Sequence, residues 1–339
     1  MKKLFLLSVA AMFICSLSFA TIRRVGFFGP AVSGVDYSSL QLAHDASAAG
    51  DTIMMIPGAS TVCSITKGLV IIGPGFFLNP ADATFPGNAG LQANINSTAS
   101  LGPISFGAGS SNTQIIGCSI YYLTFDSPSL ANILIKRSYL SFPNYSVLFN
   151  ASASNVTFQQ CVFNGVVSGS QALNNISFLN CLFVNTGYIQ FSGATSGLIN
   201  NCIFSYSNAG FSFGAGGWQV SNSINKGSAA GTNVAYTNNI GTGVQFPAGN
   251  GNQQNVPWAS IFNLIGSYDG QYALKVGSPA IGAGINGAAA TDCGIFGGAT
   301  PYRLSGIPSV PAIYALTSPQ GTIPAGNTVQ INLSTRSNN

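Results

Sequence analysis

Charge is the scarcest feature of this 339-residue sequence: 5% of residues are charged, there are seven aspartates and one histidine, and glutamate is absent. An ordinary soluble domain carries about a quarter charged residues. The shortage excludes whole classes of function. A nucleic-acid binder needs a dense cationic surface to neutralise phosphates, and 11 Lys and Arg with a net charge of +4 do not supply one. Intrinsic disorder needs low hydrophobicity together with high charge, whereas 46% of this chain is hydrophobic. Long apolar runs are missing too: Leu69 to Leu78 is interrupted by Gly73-Pro74-Gly75, so no segment of the mature chain can span a bilayer as a helix. No CxxC pair exists to suggest a metal site, and neither a cofactor nor a metal is expected.

At the amino terminus Lys2 and Lys3 precede an apolar stretch from Leu4 to Ile14, and Ser18-Phe19-Ala20 places small residues where a signal peptidase reads. Residues 1–20 therefore read as a secretory signal cleaved after Ala20. Bulky Phe13 and Ile14 ahead of Cys15 do not form a lipoprotein box. The mature protein is expected to be secreted or held on the outer cell surface.

What is abundant is a repeat. Asn155-Val156-Thr157-Phe158-Gln159-Gln160-Cys161-Val162-Phe163 recurs as Asn175-Ile176-Ser177-Phe178-Leu179-Asn180-Cys181-Leu182-Phe183, and again as Gly197-Leu198-Ile199-Asn200-Asn201-Cys202-Ile203-Phe204. Weaker copies put Cys118, Ser138, Ser223 and Asn239 in the slot of the cysteine. From 118 onward the slot recurs at steps of 20, 23, 20, 21, 21 and 16 residues. A near-constant step of this size marks one structural unit repeated.

The unit is legible from its spacing. Apolar residues stand three before the slot (Ile115, Ile135, Phe158, Phe178, Ile199, Val220, Tyr236) and five before it (Ile133, Val156, Ile176, Trp218, Val234). That period of two is a strand. Gln160, Asn180, Asn201, Asn222 and Asn238 then interrupt each strand, and Asn tolerates the left-handed backbone of a sharp bend. Strand, Asn bend, short strand and Gly/Ser-rich connection make one coil of a parallel β-helix. Stacking would set Phe158 over Phe178 and Phe163 over Phe183 and Phe204, with the Asn bends filling the corners of the bore. Whether Val162, Leu182, Ile203 and Ile224 or their phenylalanine neighbours point inward is left open. A leucine-rich solenoid lacks its fixed leucines here. A membrane barrel needs about ten uninterrupted alternating residues per strand, which the Asn pairs deny.

Six cysteines remain after the signal, an even number compatible with disulfides. Three of them share one slot of the coil, however, which favours a column of small buried hydrophobes. Asn96, Asn155 and Asn175 stand in Asn-x-Ser/Thr triplets that read as composition.

At the ends, Asp36-Tyr37-Ser38-Ser39 can cap a helix running to Ala49, with Gly50 ending it and Thr52 to Ile56 forming the first strand. His44 reads as a surface residue of that lid. Ala273 to Ile281 and Asp292 to Gly298 read as closing coils. Pro301, Pro308 and Pro311 mark a connector, and Ala312 to Thr317 and Thr328 to Leu333 resemble the opening strands of an immunoglobulin-like module, expected either to pair with the solenoid or to belong to a truncated module. The expected organisation is a signal peptide at 1–20, an N-terminal cap at 21–60, a parallel β-helix at 61–300 and a linker with a short β tail at 301–339.

The lid followed by Gly50-Asp51-Thr52-Ile53, the Gly68-Leu69-Val70-Ile71-Ile72-Gly73 run, the Asn-Cys-x-Phe coils and Gly277-Ser278-Pro279-Ala280-Ile281 resemble the secreted bacterial right-handed parallel β-helix, or pectin-lyase-like, superfamily, in the style of extracellular proteins of the Bacteroidetes. The resemblance implies an all-β, single-stranded right-handed parallel β-helix with a short N-terminal capping helix. It does not transmit an activity, since this superfamily includes pectate lyases, polygalacturonases, tailspike-like glycosidases and non-catalytic adhesins.

The residues argue against catalysis. Glycoside hydrolysis generally needs two opposed carboxylates, and the repeat from 112 to 240 contains only Asp126. A lyase could be assembled from Lys136 or Arg137 as base with Asp126 as a calcium ligand, but one carboxylate is a poor site for a cation that takes six to eight oxygens. No catalytic residue is assigned. The expectation is a non-catalytic extracellular or cell-surface β-helix, adhesive or carbohydrate-contacting, with polysaccharide or a cell-surface glycan as partner. Its alternative is a polysaccharide lyase or glycoside hydrolase of the same superfamily. Tyr121, Tyr122, Tyr139, Tyr145 and Tyr188 are the candidate sugar-stacking residues, because an aromatic face joins apolar area to a polar edge. Trp218 falls at an inward position.

Overall fold

In the computed structural model, which describes residues 20–26, 34–60, 62–92, 94, 96, 98–208, 210–231, 233–317, 326 and 328–337, successive coils form three parallel sheets of ten, nine and eight strands. Each coil visits them in turn. The first sheet holds the longest strands, among them Leu130–Lys136, Ala153–Gln159 and Leu173–Leu179. The second holds two-residue strands such as Tyr139–Leu140, Val162–Phe163 and Leu182–Phe183. The third includes Tyr145–Phe149, Val166–Gly169 and Tyr188–Phe191. This is the parallel β-helix that the repeat implies. Residues 1–19, most of the expected signal, lie outside the described residues.

Like residues lie over like residues. Val156 pairs with Ile176 and Phe158 with Phe178 in the first sheet, and Phe163 pairs with Phe183 in the second. Ring centroids are 5.2 Å apart for Phe158 and Phe178, 4.7 Å for Phe163 and Phe183, and 4.5 Å for Phe183 and Phe204, all nearly coplanar in tilt. The coil spacing of about 4.8 Å imposes this stacking. Each ring pair adds about 0.5–1.5 kcal/mol beyond the area it buries. Trp218 is inside, stacked on Phe213 at 4.1 Å.

The sharp bends are where the side chains predicted them. Arg137, Gln160, Asn180, Asn201, Asn222 and Asn238 all have φ between 49° and 58°. Their amides do not fill the bore, contrary to expectation; most face outward, as described below. A second asparagine series, missed in the sequence, sits ahead of the inward residues of the first sheet. Asn112, Asn132, Asn155 and Asn175 also have positive φ, and Nδ2 of each of the last three donates to Oδ1 of the one before it at 3.2, 3.1 and 2.8 Å.

The slot holds a column of free, buried thiols. Cys161, Cys181 and Cys202 each donate Sγ–H at 3.3 Å to a carbonyl of the preceding coil, at Ile135, Phe158 and Phe178. The slot atoms also accept: Cys118 N–H donates to Ser138 Oγ, Cys181 N–H to Cys202 Sγ and Cys202 N–H to Ser223 Oγ. The slot therefore selects small residues with a donor and an acceptor, which is why Ser and Asn replace Cys there.

At the amino end, helix α1 (Leu40–Ala46) is capped by Ser39, whose Oγ accepts from Leu42 N–H at 3.2 Å. It stops at Ser47, short of the expected Ala49; there the chain turns extended and Ser47 Oγ donates back to Ala43 O at 2.7 Å. His44 is a correction: it is 3% exposed, not a surface residue. Its Nε2 accepts from Thr66 N–H at 3.0 Å and its Nδ1 faces Asp45 Oδ1 at 2.9 Å, tying the lid to the next strand. The first strand is Ile22–Val25, which pairs with Thr52–Met55 and precedes the strand expected to be first.

The carboxyl end departs most from expectation. The last rung of the second sheet is Ile240–Gly241, followed by a single parallel bridge to Gln253. The segments read as closing coils instead return along the outside of the solenoid as a strap over the second sheet. Val162, Leu182, Ile203, Ile224 and Ile240 point outward and are buried against Ile261, Phe262, Tyr272, Ala280, Cys293 and Ile295 of that strap. This resolves the ambiguity of adjacent apolar positions: the phenylalanines fill the bore and their neighbours bind the strap. The tail strands Ala312–Thr317 and Asn332–Arg336 pair antiparallel with each other.

Candidate functional site

The acids are dispersed and each is held by the chain's own donors. Asp51 is buried and accepts from Thr21 N–H and Ala48 N–H, with Arg23 beside it at 3.4 Å. Asp269 is buried too, accepting from Asn88 Nδ2, Tyr302 OH and Ser305 N–H, and so knots the loop after Pro74 to the strap. Asp292 accepts from Gly282 N–H. Asp126 is exposed at the third sheet and takes three hydrogen bonds, from Ser105 Oγ at 2.6 Å, Thr124 Oγ1 at 2.5 Å and Asn150 Nδ2 at 2.7 Å. Partial burial works against its charge, yet those donors hold the carboxyl below its ordinary value, so it is ionised.

The hypothetical lyase pair is not assembled. Lys136 is on the first sheet, away from Asp126, its ammonium pushed down by burial and by Arg137. Arg137 itself is buried under the strap, donating to Gln160 Oε1, Ile307 O and Ser309 Oγ. Among the described residues no group of three or more His, Cys, Asp or Glu is placed to hold a metal ion.

The tyrosines divide into two places. Tyr121 and Tyr122 lie at the corner between the second and third sheets, next to Phe142 one coil on; Tyr121 and Phe142 ring centroids are 4.6 Å apart, Tyr122 and Phe142 5.8 Å. Tyr145 and Tyr188 each open a third-sheet strand at the same corner, two coils apart. Tyr121 and Tyr145 are 43% and 46% exposed. Tyr206, equally exposed, continues the row. Phe142 and Tyr206 were missed in the sequence, although Phe142 stands one coil step after Tyr121. Beside this corner the third sheet presents Ser105, Thr124, Leu148, Ser168, Gln190 and Ser212 in register, a face that is polar at five of its six rungs.

Tyr139 is elsewhere. It lies on the outer face of the second sheet, 5% exposed, packed against Phe77 at 4.8 Å, Phe85 at 5.8 Å and Phe76 at 5.9 Å. Burial, and then the neighbouring Tyr268, push its phenol well above the ordinary tyrosine range.

No protein-family model and no curated protein matches this chain. Among solved structures it is similar to the crystal structure of pectate lyase Pel9A, with 12% identity over 82% of this chain and 96% of that one and a TM-score of 0.44. No helix of the described residues is long and apolar enough to cross a membrane.

Proposed function

We propose that this chain is a non-catalytic β-helix of the cell exterior that contacts extended carbohydrate along the corner between its second and third sheets. One observation carries the reading: Tyr121, Tyr122, Phe142, Tyr145, Tyr188 and Tyr206 line that one corner, beside a face of hydroxyl and amide side chains. Aromatic rings supply apolar area for the faces of sugar rings, and the hydroxyl rows supply hydrogen bonds. Because coils recur at about 4.8 Å, the surface repeats along its axis and suits a polymer better than a compact ligand. The apparent export signal supports an extracellular site of action.

The alternative, a polysaccharide lyase or hydrolase, is favoured by Asp126, an ionised carboxylate on the same face. Affinity electrophoresis in gels carrying neutral and acidic polysaccharides, with parallel assays for reducing ends and unsaturated products, separates the two. The expected result is retardation by at least one polysaccharide without turnover, weakened about tenfold when Tyr121 and Tyr188 are both changed to Ala. Turnover abolished by Asp126→Asn would replace this reading with the enzymatic one. Absence of retardation in every gel would leave no carbohydrate role for the corner.

A further inference from the structure

The outer column of the second sheet changes character along its length. In register it runs Ser100, Ser119, Tyr139, Val162, Leu182, Ile203, Ile224, Ile240. The apolar part, from Val162 on, lies under the strap. The part beginning at Tyr139 and running to Ser100 lies instead under a cleft of about 520 Å³, walled by the loop that carries Phe77, Asp82 and Phe85. A volume of this size is in the range of small-molecule sites.

The cleft gathers hydrogen-bonding groups that the other described residues leave unused. Ser100 and Ser119 hydroxyls have no partner among the described residues, in contrast to Ser105 and Thr124 around Asp126. Asp82 Oδ1 accepts from Thr84 N–H and Phe85 N–H at 2.8 and 2.9 Å, leaving Oδ2 free. Asn79 Oδ1 accepts from Ala81 N–H, leaving its NH₂ free. Tyr139 brings a hydroxyl with no partner among the described residues, on a ring fixed between Phe77 and Phe85. Such a set, an aromatic wall with free hydroxyls, an amide donor and a carboxylate acceptor, matches vicinal diols on a saturated ring. Asp82 is the one charged residue among the described lining residues, none of which is a lysine or arginine that could take an anion.

We propose that this cleft is a second carbohydrate site, separate from the tyrosine corner, which takes the terminal one or two rings of a neutral hexose glycan and disfavours uronates. The inference extends the carbohydrate reading to other residues and stands or falls apart from the corner. Saturation-transfer NMR with methyl glycosides of glucose, galactose and mannose, run against the matched methyl uronides, tests it. At least one neutral glycoside should bind, with its uronide at least about tenfold weaker. Ser119→Trp, which fills the cleft from an outward position, should abolish binding. Tyr139→Phe keeps the ring packing and removes only the hydroxyl; it should weaken binding about three- to tenfold. Tyr121→Ala should leave it unchanged. The proposal is overturned if no neutral glycoside binds, if uronides bind equally well, if Tyr139→Phe has no effect, or if Tyr121→Ala is the variant that loses the signal.

Discussion

Cys161, Cys181 and Cys202 occupy their slot because that position needs a small atom group that both donates to a carbonyl below and accepts from an N–H of a neighbouring coil. Two predictions belong to single residues. Burial raises the thiols of Cys63, Cys118 and Cys293 to about 12, so a disulfide reagent at mildly alkaline pH should leave all six buried cysteines unmodified in the native protein and label them after denaturation. Cys181→Ser keeps both hydrogen-bonding roles and should cost under about 1.5 kcal/mol in a denaturant titration, whereas Cys181→Leu overpacks the bore and should cost about 1–3 kcal/mol or more. Asp51 sets an acid limit: burial opposes its charge, but the Thr21 and Ala48 N–H groups and Arg23 outweigh that and lower its carboxyl. Its contribution to stability is therefore present above the unfolded value near 4 and lost as pH falls through the lower folded value. Asp51→Asn should flatten that part of the melting-temperature profile between about pH 5 and 2.

At the scale of elements, the bend and the strap are one device. Asn222 exchanges two hydrogen bonds with Ile285, Asn201 donates to Asp292 O and Gly294 O, Asn180 to Ile295 O and Gly297 O, and Gln160 to Thr300 O and Pro301 O. Successive bends thus hold successive stretches of a strap that runs back over the coils. The positive φ that lets the chain turn also aims these amides outward. The two roles can be separated by mutation. Asn180→Gly preserves the left-handed bend and loses the strap bonds, an expected cost of about 1–3 kcal/mol. Asn180→Ala loses both and should cost about 2–4 kcal/mol. Equal losses for the two variants, measured by denaturant unfolding, would mean that the bend conformation contributes nothing. The recurrence of Asn at the bends is visible in the sequence; its strap partners are not, because they lie 63 to 141 residues away.

For the whole molecule, the scarcity of charge becomes a mechanical statement. Among the described residues Arg23 forms an ion pair with Asp51, and His44 Nδ1 shares a hydrogen bond with Asp45 Oδ1, both at the lid. Stability rests on stacked rings and coil-to-coil backbone bonds, which salt does not screen. The melting temperature should accordingly move by less than about 3 °C between about 0.05 and 0.5 M sodium chloride, a choice of salt that limits salting-out effects; a larger rise or fall would assign the ionic lid a share of global stability. The coil was legible in the sequence because its period, its bends and its slot are local and repeated. The direction of Val162, Leu182 and Ile203, the burial of His44 and the course of residues 257–307 were not, since each depends on one contact made once between distant segments. The tyrosines show the same division: Tyr121, Tyr122, Tyr145 and Tyr188 share a corner, while Tyr139, chosen on the same grounds, lines a cleft on another face. Periodicity alone determined that this chain winds into a β-helix with aromatic columns inside, because every coil imposes the same spacing on its neighbours. Only the tertiary structure decided which outer surfaces the strap covers and which it leaves open, because a single non-repeating segment sets that boundary.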